Sequence, residues 1–275
     1  MANEHYWARL ERKECLSESA QCFHLEFVVD EVESFAFTPG QFVSVVAHDP
    51  RSKDPRGHDP RGKEENRAYS IASAPGGNRF ALCLNRVEGG FFSSLLSDLR
   101  VGETIRVQEP LGFFTLREPL TDSILIATGT GIAPMRSFAR WLFPADGPDR
   151  GGDKEIWLVY GTRHESEIYY REEFEALAAR HANFHYVPSL SRAPESWTGL
   201  RGYVQEHAVR ILEERAARLG QPLPAPPPDA SIASGEMRFD MYAYICGLNK
   251  MVSAVRERLK GLGWHRKQIV FERYD

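Results

Sequence analysis

Short stretches of alternating apolar and polar residues run through roughly the first 118 residues of the chain, with Gly and Pro between them. The alternation has the two-residue period of half-buried strands. It predicts strands at residues 23–29, 41–47, 80–86 and 104–108. One helix is predicted at residues 93–99, after a Gly-Gly pair. Short strands at this spacing favour a small antiparallel β-barrel.

A different pattern begins beyond a polar stretch at residues 117–123. Residues 124–127 form a continuous apolar run, as expected of a strand buried on both faces. Further strands are predicted at 155–160, 184–187, 241–246 and 269–271, and helices at 134–142, 172–180, 203–218 and 250–260. Strands alternating with helices predict a doubly wound parallel sheet. We therefore expect two domains, a β-barrel at residues 1–118 and an α/β domain at 119–275.

Composition narrows the functional class. A chain of 275 residues with 42% hydrophobic and 26% charged residues can bury two ordinary cores. The net charge of −4 gives no overall nucleic-acid footprint. No apolar run approaches the roughly 18 residues that span a bilayer, and the first residues lack the features of a signal peptide. These observations predict a cytoplasmic protein without a membrane span.

The metal-ligating residue types are too scattered for a metal centre. Cysteines occur only at positions 15, 22, 83 and 246, whereas zinc and iron–sulfur sites need closely spaced pairs. His181 and His185 lack the Glu that follows the first His in a zinc-protease helix. We therefore predict no metal site, so an electron carrier here would be an organic cofactor or a separate protein.

Two segments of the first domain carry candidate ligand chemistry. Arg67-Ala68-Tyr69-Ser70, placed at the start of a strand, offers a cation for a diphosphate, an aromatic face and a hydroxyl. Alternation would point Arg67 and Tyr69 to the same side, although a surface Arg and a core Tyr fit the tetrapeptide as well. The second segment opens the predicted helix, where free backbone N–H groups and a serine can bind a phosphate. Its residues are Gly89, Gly90, Phe91, Phe92 and Ser93.

The second domain contains a glycine loop after its first strand. Gly129-Thr130-Gly131-Ile132-Ala133-Pro134 joins that strand to a helix, which is the context a dinucleotide pyrophosphate needs. Pro134 replaces the third glycine of the Rossmann fingerprint, and proline suits a first helical turn. A plain tight turn is the alternative.

Basic residues follow the later strands of the α/β domain. Arg163, Ser191, Arg192 and Arg201 lie near predicted carboxyl ends of strands, where such sheets present ligands. A 2′-phosphate binds guanidinium and hydroxyl groups, so the cluster favours NADP(H) over NAD(H), although each Arg alone also fits a solvated surface position.

The whole chain apart from two insertions resembles the ferredoxin–NADP⁺ reductase family, bacterial type. The segments that carry the resemblance are Pro39-Gly40-Gln41-Phe42, Arg67–Ser70, Gly89–Ser93, Gly112-Phe113-Phe114, Gly129–Pro134, Cys246-Gly247 and the ending Glu272-Arg273-Tyr274. The resemblance implies that FAD binds the first domain and NADP(H) the second, with the two rings meeting between them.

The resemblance also implies residue roles. Arg67 would hold the FAD pyrophosphate, Tyr69 would pack on the isoalloxazine, and Ser70 would hydrogen-bond near flavin N5. Cys246 would position the nicotinamide by packing, since no neighbouring base suggests a reactive thiolate. Tyr274 would stack on the flavin and move for hydride transfer, with Glu272 beside it; an exposed tail is the alternative for both.

The implied function is hydride transfer between NADPH and flavin N5, with one-electron exchange to a ferredoxin or flavodoxin. Two alternatives stay open: an NAD(P)H-dependent reductase serving an oxygenase, a haem protein or free flavin, and a non-catalytic flavin-binding subunit of a larger complex. Residues that a simple binding module does not need, such as Ser70 and Cys246, argue against the second.

Three features depart from the expected pattern. Asp-Pro-Arg recurs at 49–51, 54–56 and 59–61, within a charged surface loop predicted at 49–63. Residues 221–229 form a Pro-rich insertion, interpreted as a stiff linker. Asp275 follows the aromatic Tyr274, and a carboxylate there could alter dinucleotide affinity.

Overall fold

The computed structural model describes residues 4–52, 62–220 and 239–274. Parts of the sequence interpretation lie outside these residues, namely the second and third Asp-Pro-Arg repeats, the Pro-rich insertion at 221–229 and Asp275. Two compact units make up the described chain. One contains the described residues up to Thr115 together with Arg136–Trp141, and the other contains Leu116–Met135 and the described residues from Leu142 onward. A single boundary between residues 118 and 119 stays a prediction.

The first unit is built on a six-stranded sheet in the order β4-β3-β6-β1-β2-β5. All its strand pairs are antiparallel. The strands are β1 His5–Ser17, β2 Cys22–Val28, β3 Phe42–Asp49, β4 Lys63–Ser70, β5 Arg79–Asn85 and β6 Thr104–Gln108, with helix α1 at Phe91–Asp98. A bridge between Ile71, just past β4, and Leu82 of β5 brings the two edges together. The predicted antiparallel barrel class is confirmed.

Two details of this sheet differ from the sequence prediction. Arg67–Ser70 form the end of β4, not the start of a strand, because the polar residues 63–66 already pair with β3 at the edge of the sheet. Strand β1 carries a run of charged side chains that hides its alternation. Those charges lie on the solvent face, where Glu11 pairs with Arg79 and Arg12 with Glu26.

The second unit is a six-stranded parallel sheet in the order β10-β9-β8-β7-β11-β12. Its strands are β7 Asp122–Thr128, β8 Ile156–Thr162, β9 Phe184–Leu190, β10 Leu200–Arg201, β11 Met241–Leu248 and β12 Ile269–Tyr274. Its helices are α2 Ile132–Leu142, α3 Arg171–Arg180, α4 Val204–Arg218 and α5 Asn249–Gly261. The order reverses at β7, so the gap between β7 and β11 is the topological switch point at which such sheets bind ligands.

Helices cover both faces of this sheet, as the doubly wound prediction requires. Val204 of α4 and Val252 of α5 pack with Ile126 of β7 in one buried cluster. On the other face, Phe174 of α3 lies 5.3 Å from the Tyr186 ring of β9. No helix among the described residues is long and apolar enough to cross a bilayer.

Candidate functional site

The end of β4 presents Arg67 and Tyr69 on one side of an edge strand. Tyr69 pairs with Val43 and Arg67 with Val45 of β3, two residues apart and therefore on the same face. Burial raises the pKa of Tyr69 to about 12, and the positive charge of Arg67 opposes that shift, which places the guanidinium near the phenol. Ser70 is buried and points to the other side by alternation. At neutral pH the pair therefore offers a cation beside an uncharged aromatic ring.

The glycine turn before α1 is closed by Ser93. Gly89 has a φ of +70°, and Gly90 caps the helix with its own N–H donating to the Val87 carbonyl at 2.9 Å. The Ser93 hydroxyl is buried and accepts a hydrogen bond from the Val87 N–H at 3.1 Å. The phosphate contact predicted for Ser93 stays a prediction, and the first backbone N–H groups of α1 are further candidates for binding an anion.

Phe91 and Phe92 can offer an anion their backbone N–H groups but not their side chains, which are packed. Phe92 is buried in the barrel core, and Phe91 packs edge-on against it with ring centroids 5.1 Å apart. The Arg51 guanidinium lies over the Phe91 ring, and its Nη1 donates to the Gly89 carbonyl at 2.8 Å. The first Asp-Pro-Arg repeat is thus fastened to the turn.

The glycine loop of the second unit rests on the end of β11. It forms a 3₁₀ turn at Gly129–Gly131 and leads into α2, with Pro134 in the first helical turn as predicted. A Cβ on Gly131 would lie 2.6 Å from the carbonyl carbon of Cys246 and 2.8 Å from the Gly247 nitrogen. Glycine is therefore required at 131, because the loop backbone and the β11 backbone are in direct contact. Thr130 is partly exposed on the same turn.

Cys246, Glu272 and Tyr274 are brought together by the pairing of β11 with β12. Cys246 lies opposite Glu272, and Leu248 lies opposite Tyr274. Cys246 is fully buried, and desolvation, followed by the charge of Glu272, raises its thiol pKa well above the usual value. Cys246 is therefore a neutral thiol that packs, which agrees with a positioning role and not with nucleophilic attack.

Thr128 is a site residue that the sequence analysis missed. Its Oγ1 is buried and has no hydrogen-bond partner among the described residues. It lies at the carboxyl end of β7, directly against Gly247, whose φ is +145°. A buried hydroxyl without a partner costs stability unless a ligand satisfies it. The signal in the sequence was a hydroxyl residue at the last strand position before the glycine loop.

These features fit a dinucleotide. The Thr128 hydroxyl, which has no partner among the described residues, can donate or accept a hydrogen bond. Gly131 allows a ligand to approach the backbone closely, and the first turn of α2 next to it has free N–H groups. Arg67 and Tyr69 likewise match a flavin nucleotide, which needs a cation for its diphosphate and an aromatic face for its ring system.

Arg163, Ser191 and Arg192 are assembled at the carboxyl ends of β8 and β9. The Ser191 N–H donates to the Thr162 carbonyl at 2.9 Å, and the Arg192 N–H donates to the Arg163 carbonyl at 3.0 Å. All three residues are exposed. Within the described ranges, neither guanidinium forms an ion pair with a carboxylate, so both charges are available to an anion.

Arg201 and Tyr203 behave differently from that cluster. The Arg201 guanidinium, although exposed, donates to backbone carbonyls of the loop after Arg192. Tyr203, at the N-cap of α4, is 60% exposed and offers an open ring beside the cluster. An exposed aromatic next to phosphate ligands can stack on an adenine. Tyr203 was not among the predicted site residues; an aromatic at the first position of the predicted helix 203–218 was the available signal.

The burial of Cys246 predicts its reactivity. Iodoacetamide at pH 8 is expected to alkylate the exposed Cys15 and to leave Cys246 unmodified. The raised pKa of Cys246 lowers its thiolate fraction, and its burial keeps the reagent away. Peptide mass spectrometry of native and denatured protein measures both sites. Equal alkylation of Cys15 and Cys246 in the native protein would contradict this assignment.

Comparison with known proteins identifies both units. The model of the oxidoreductase FAD-binding domain matches residues 7–116, and that of the oxidoreductase NAD-binding domain matches residues 125–257. The chain is 40% identical over 255 residues to ferredoxin–NADP reductase B of Sorangium cellulosum (strain So ce56), covering 91% of each protein. It is 27% identical to the toluate 1,2-dioxygenase electron transfer component of Pseudomonas putida, covering 98% of this chain and 67% of that protein.

Solved structures agree on the fold. The structure of a ferredoxin NADP⁺ reductase from Neisseria gonorrhoeae with bound FAD and NADP matches with a TM-score of 0.71 and 21% identity, over 98% of both chains. The Plasmodium falciparum ferredoxin–NADP⁺ reductase with 2′P-AMP matches with a TM-score of 0.73 and 20% identity, over 98% of this chain and 97% of that one.

Proposed function

This chain belongs to the ferredoxin–NADP⁺ reductase family, and we propose that it exchanges electrons between NADPH and a ferredoxin through bound FAD. The observation that best supports this proposal is the contact of the Gly131 loop with Cys246, next to the unsatisfied hydroxyl of Thr128. A nucleotide bound over the loop would bring its nicotinamide end to Cys246 and Thr128. Cys246 and Thr128 therefore lie at the end of the proposed pyrophosphate loop. A reductase needs such residues to position the nicotinamide, whereas a simple binding subunit does not.

The protein contributes binding and orientation. When bound, the two cofactors supply the redox chemistry, a hydride passing between nicotinamide C4 and flavin N5. Arg67 would hold the FAD diphosphate, Tyr69 would provide a neutral packing face, and Ser70, on the other side of the end of β4, would supply a hydroxyl to the flavin. The neutral Cys246 thiol would pack against the nicotinamide without reacting, and Glu272 and Tyr274 lie beside Cys246 along β12.

We assign Arg163, Ser191 and Arg192 to the 2′-phosphate of NADPH. Replacing Arg192 with alanine is expected to lower the ratio of kcat/KM for NADPH to that for NADH by about tenfold, since an exposed charge-assisted contact contributes about 1.4 kcal/mol. Ferricyanide reduction with both nucleotides measures the ratio. The matched control is Arg210→Ala, because Arg210 is exposed in the same unit and pairs with Glu214 on α4. A wild-type protein that prefers NADH would exclude the phosphate assignment.

A second candidate is a reductase that serves an oxygenase, and the similarity to the toluate dioxygenase component favours it. The two candidates differ in acceptor. Purified holoprotein with NADPH is expected to reduce cytochrome c many-fold faster when a ferredoxin is added, and we propose flavodoxin as a further acceptor. Stimulation by an oxygenase component but by neither ferredoxin nor flavodoxin would support the second candidate instead.

A further inference from the structure

Arg201 is the centre of a cage of backbone carbonyls. Its Nη1 donates to the Ala193 carbonyl at 3.1 Å. Its Nη2 lies 2.8 Å from the Pro194 carbonyl, 3.1 Å from that of Glu195 and 2.8 Å from that of Trp197. The loop at residues 193–197 is therefore wrapped around one cation, and this loop begins directly after Arg192.

Arg201 is itself anchored to the sheet. It lies opposite Leu190 in the β9–β10 pairing, and its carbonyl accepts a hydrogen bond from His207 Nε2 at 3.1 Å. Burial lowers the pKa of His207, so the ring that donates this bond is neutral at physiological pH. The neighbouring Gly202 carbonyl accepts from the Ser189 hydroxyl at 2.9 Å. The cation at the centre of the cage is thus held by the body of the unit and not by the loop alone.

The far end of the loop is secured as well. Trp197 is buried, and its Nε1 donates to the Leu200 carbonyl at 2.9 Å. The Arg171 guanidinium lies 5.6 Å from the centre of the Trp197 ring. At the near end, the Arg192 backbone is tied to Arg163 of the preceding strand connection. Arg192 therefore sits between two fixed points, and the second of them depends on Arg201.

We propose that Arg201 is a positioning residue for nucleotide selection: it holds residues 193–197 so that Ser191 and Arg192 face the 2′-phosphate, and it makes no phosphate contact of its own. The proposal rests on the proposed binding of NADPH. It replaces the direct phosphate contact predicted for Arg201 from sequence. Both Nη atoms are committed to carbonyls, whereas the guanidinium of Arg192 has no carboxylate partner in the described part of the chain.

Non-additivity of mutations tests the proposal. The Kd values of NADP⁺ and NAD⁺ are measured by isothermal titration calorimetry on FAD-loaded protein for the wild type, Arg192→Ala, Arg201→Gln and the double variant. Each single change is expected to lower the NADP⁺/NAD⁺ preference by about tenfold. The double variant is expected to lose no more than Arg192→Ala alone, because Arg201 acts through Arg192. Additive losses would mean that Arg201 contacts the phosphate directly and would overturn the proposal.

Proteolysis provides a readout that does not depend on the nucleotide. A glutamyl endopeptidase cleaves after Glu195, which is exposed and lies within the cage. Cleavage there is expected to be about tenfold faster in Arg201→Gln than in the wild type, and unchanged in Arg192→Ala and in the control Arg210→Gln. Arg201→Lys, which keeps the charge but loses the fork of donors, is expected to be intermediate. Cleavage at the wild-type rate in Arg201→Gln would overturn the proposal.

Failure of the proposed function is distinguishable from failure of this role. Equal affinity of the wild-type protein for NADP⁺ and NAD⁺ would remove the phosphate preference itself, and with it any residue that supports it. A clear wild-type preference with additive losses, or with unchanged proteolysis, would overturn the role of Arg201 alone. Thermal unfolding of each variant shows whether it is folded before the affinities are compared.

Discussion

Replacing Gly131 with alanine is expected to raise the Kd for NADP⁺ by about 100-fold while leaving the FAD content of the purified protein unchanged. The added Cβ would lie 2.6 Å from the Cys246 carbonyl carbon, inside the range that real Cβ atoms avoid. Backbone cannot move away as a flexible side chain can, so the loop must shift, at a cost of about 3 kcal/mol. Isothermal titration calorimetry with NADP⁺ and the flavin absorbance of the purified variant measure the two effects.

Gly261→Ala is the matched control for this change. Gly261 lies at the end of α5 in the same unit, and a Cβ there would meet nothing within 4 Å. Its replacement is expected to leave the Kd for NADP⁺ unchanged. Wild-type affinity in Gly131→Ala would show that the loop does not bind the pyrophosphate, and loss of FAD in that variant would show that the change acts outside the second unit.

Replacing Arg67 with alanine is expected to weaken FAD binding by about 10- to 100-fold, because hydrogen bonds from a guanidinium to a diphosphate contribute about 1.5–3 kcal/mol. The neighbouring Tyr69 keeps its half-buried position on β4, so the aromatic face remains while the cation is lost. Reconstitution of FAD-depleted protein, followed by quenching of flavin fluorescence, gives the Kd.

The control for Arg67 is Arg79→Ala in the same unit. Arg79 is an exposed arginine on β5 that pairs with Glu11. Exposed ion pairs contribute little to stability, so this variant is expected to bind FAD as the wild type does. An equal loss in both variants would indicate a general weakening of the barrel, and no loss in Arg67→Ala would remove Arg67 from the flavin site.

Residue pattern was enough to predict most elements of the parallel sheet. The continuous apolar run of β7 is typical of a strand covered on both faces, and Gly131 and Pro134 indicate the start of the helix that follows. Strand β1 and the two-residue strand β10 were not predicted. The first is masked by its solvent-facing charges, and the second is too short to show any period.

The candidate site was predictable where a local motif encodes it. Arg67, Tyr69 and the Gly129–Pro134 loop are predicted from the chemistry and spacing of a few adjacent residues, and their contacts with a ligand stay predictions. The hydrogen-bond partners of Ser93 and Arg201 were not predictable, because they depend on which backbone groups lie nearby. The Val87 N–H and the carbonyls of residues 193–197 decide this, and only folding brings them close.

The sequence by itself therefore determined the fold class, and its short motifs carried the family resemblance that implied the two cofactors, since periodicity and short motifs are local properties of the chain. Tertiary structure decided which side chains remain available for a ligand. The pairing of β11 with β12 places Cys246 opposite Glu272 and next to Tyr274, and the Thr128 hydroxyl before the glycine loop has no partner among the residues that the structure describes. Tertiary structure also engages the Arg201 guanidinium with backbone carbonyls, whereas the Arg192 guanidinium forms no ion pair among the described residues. The physical reason is that a polar group acts on a ligand only when no backbone partner has already satisfied it.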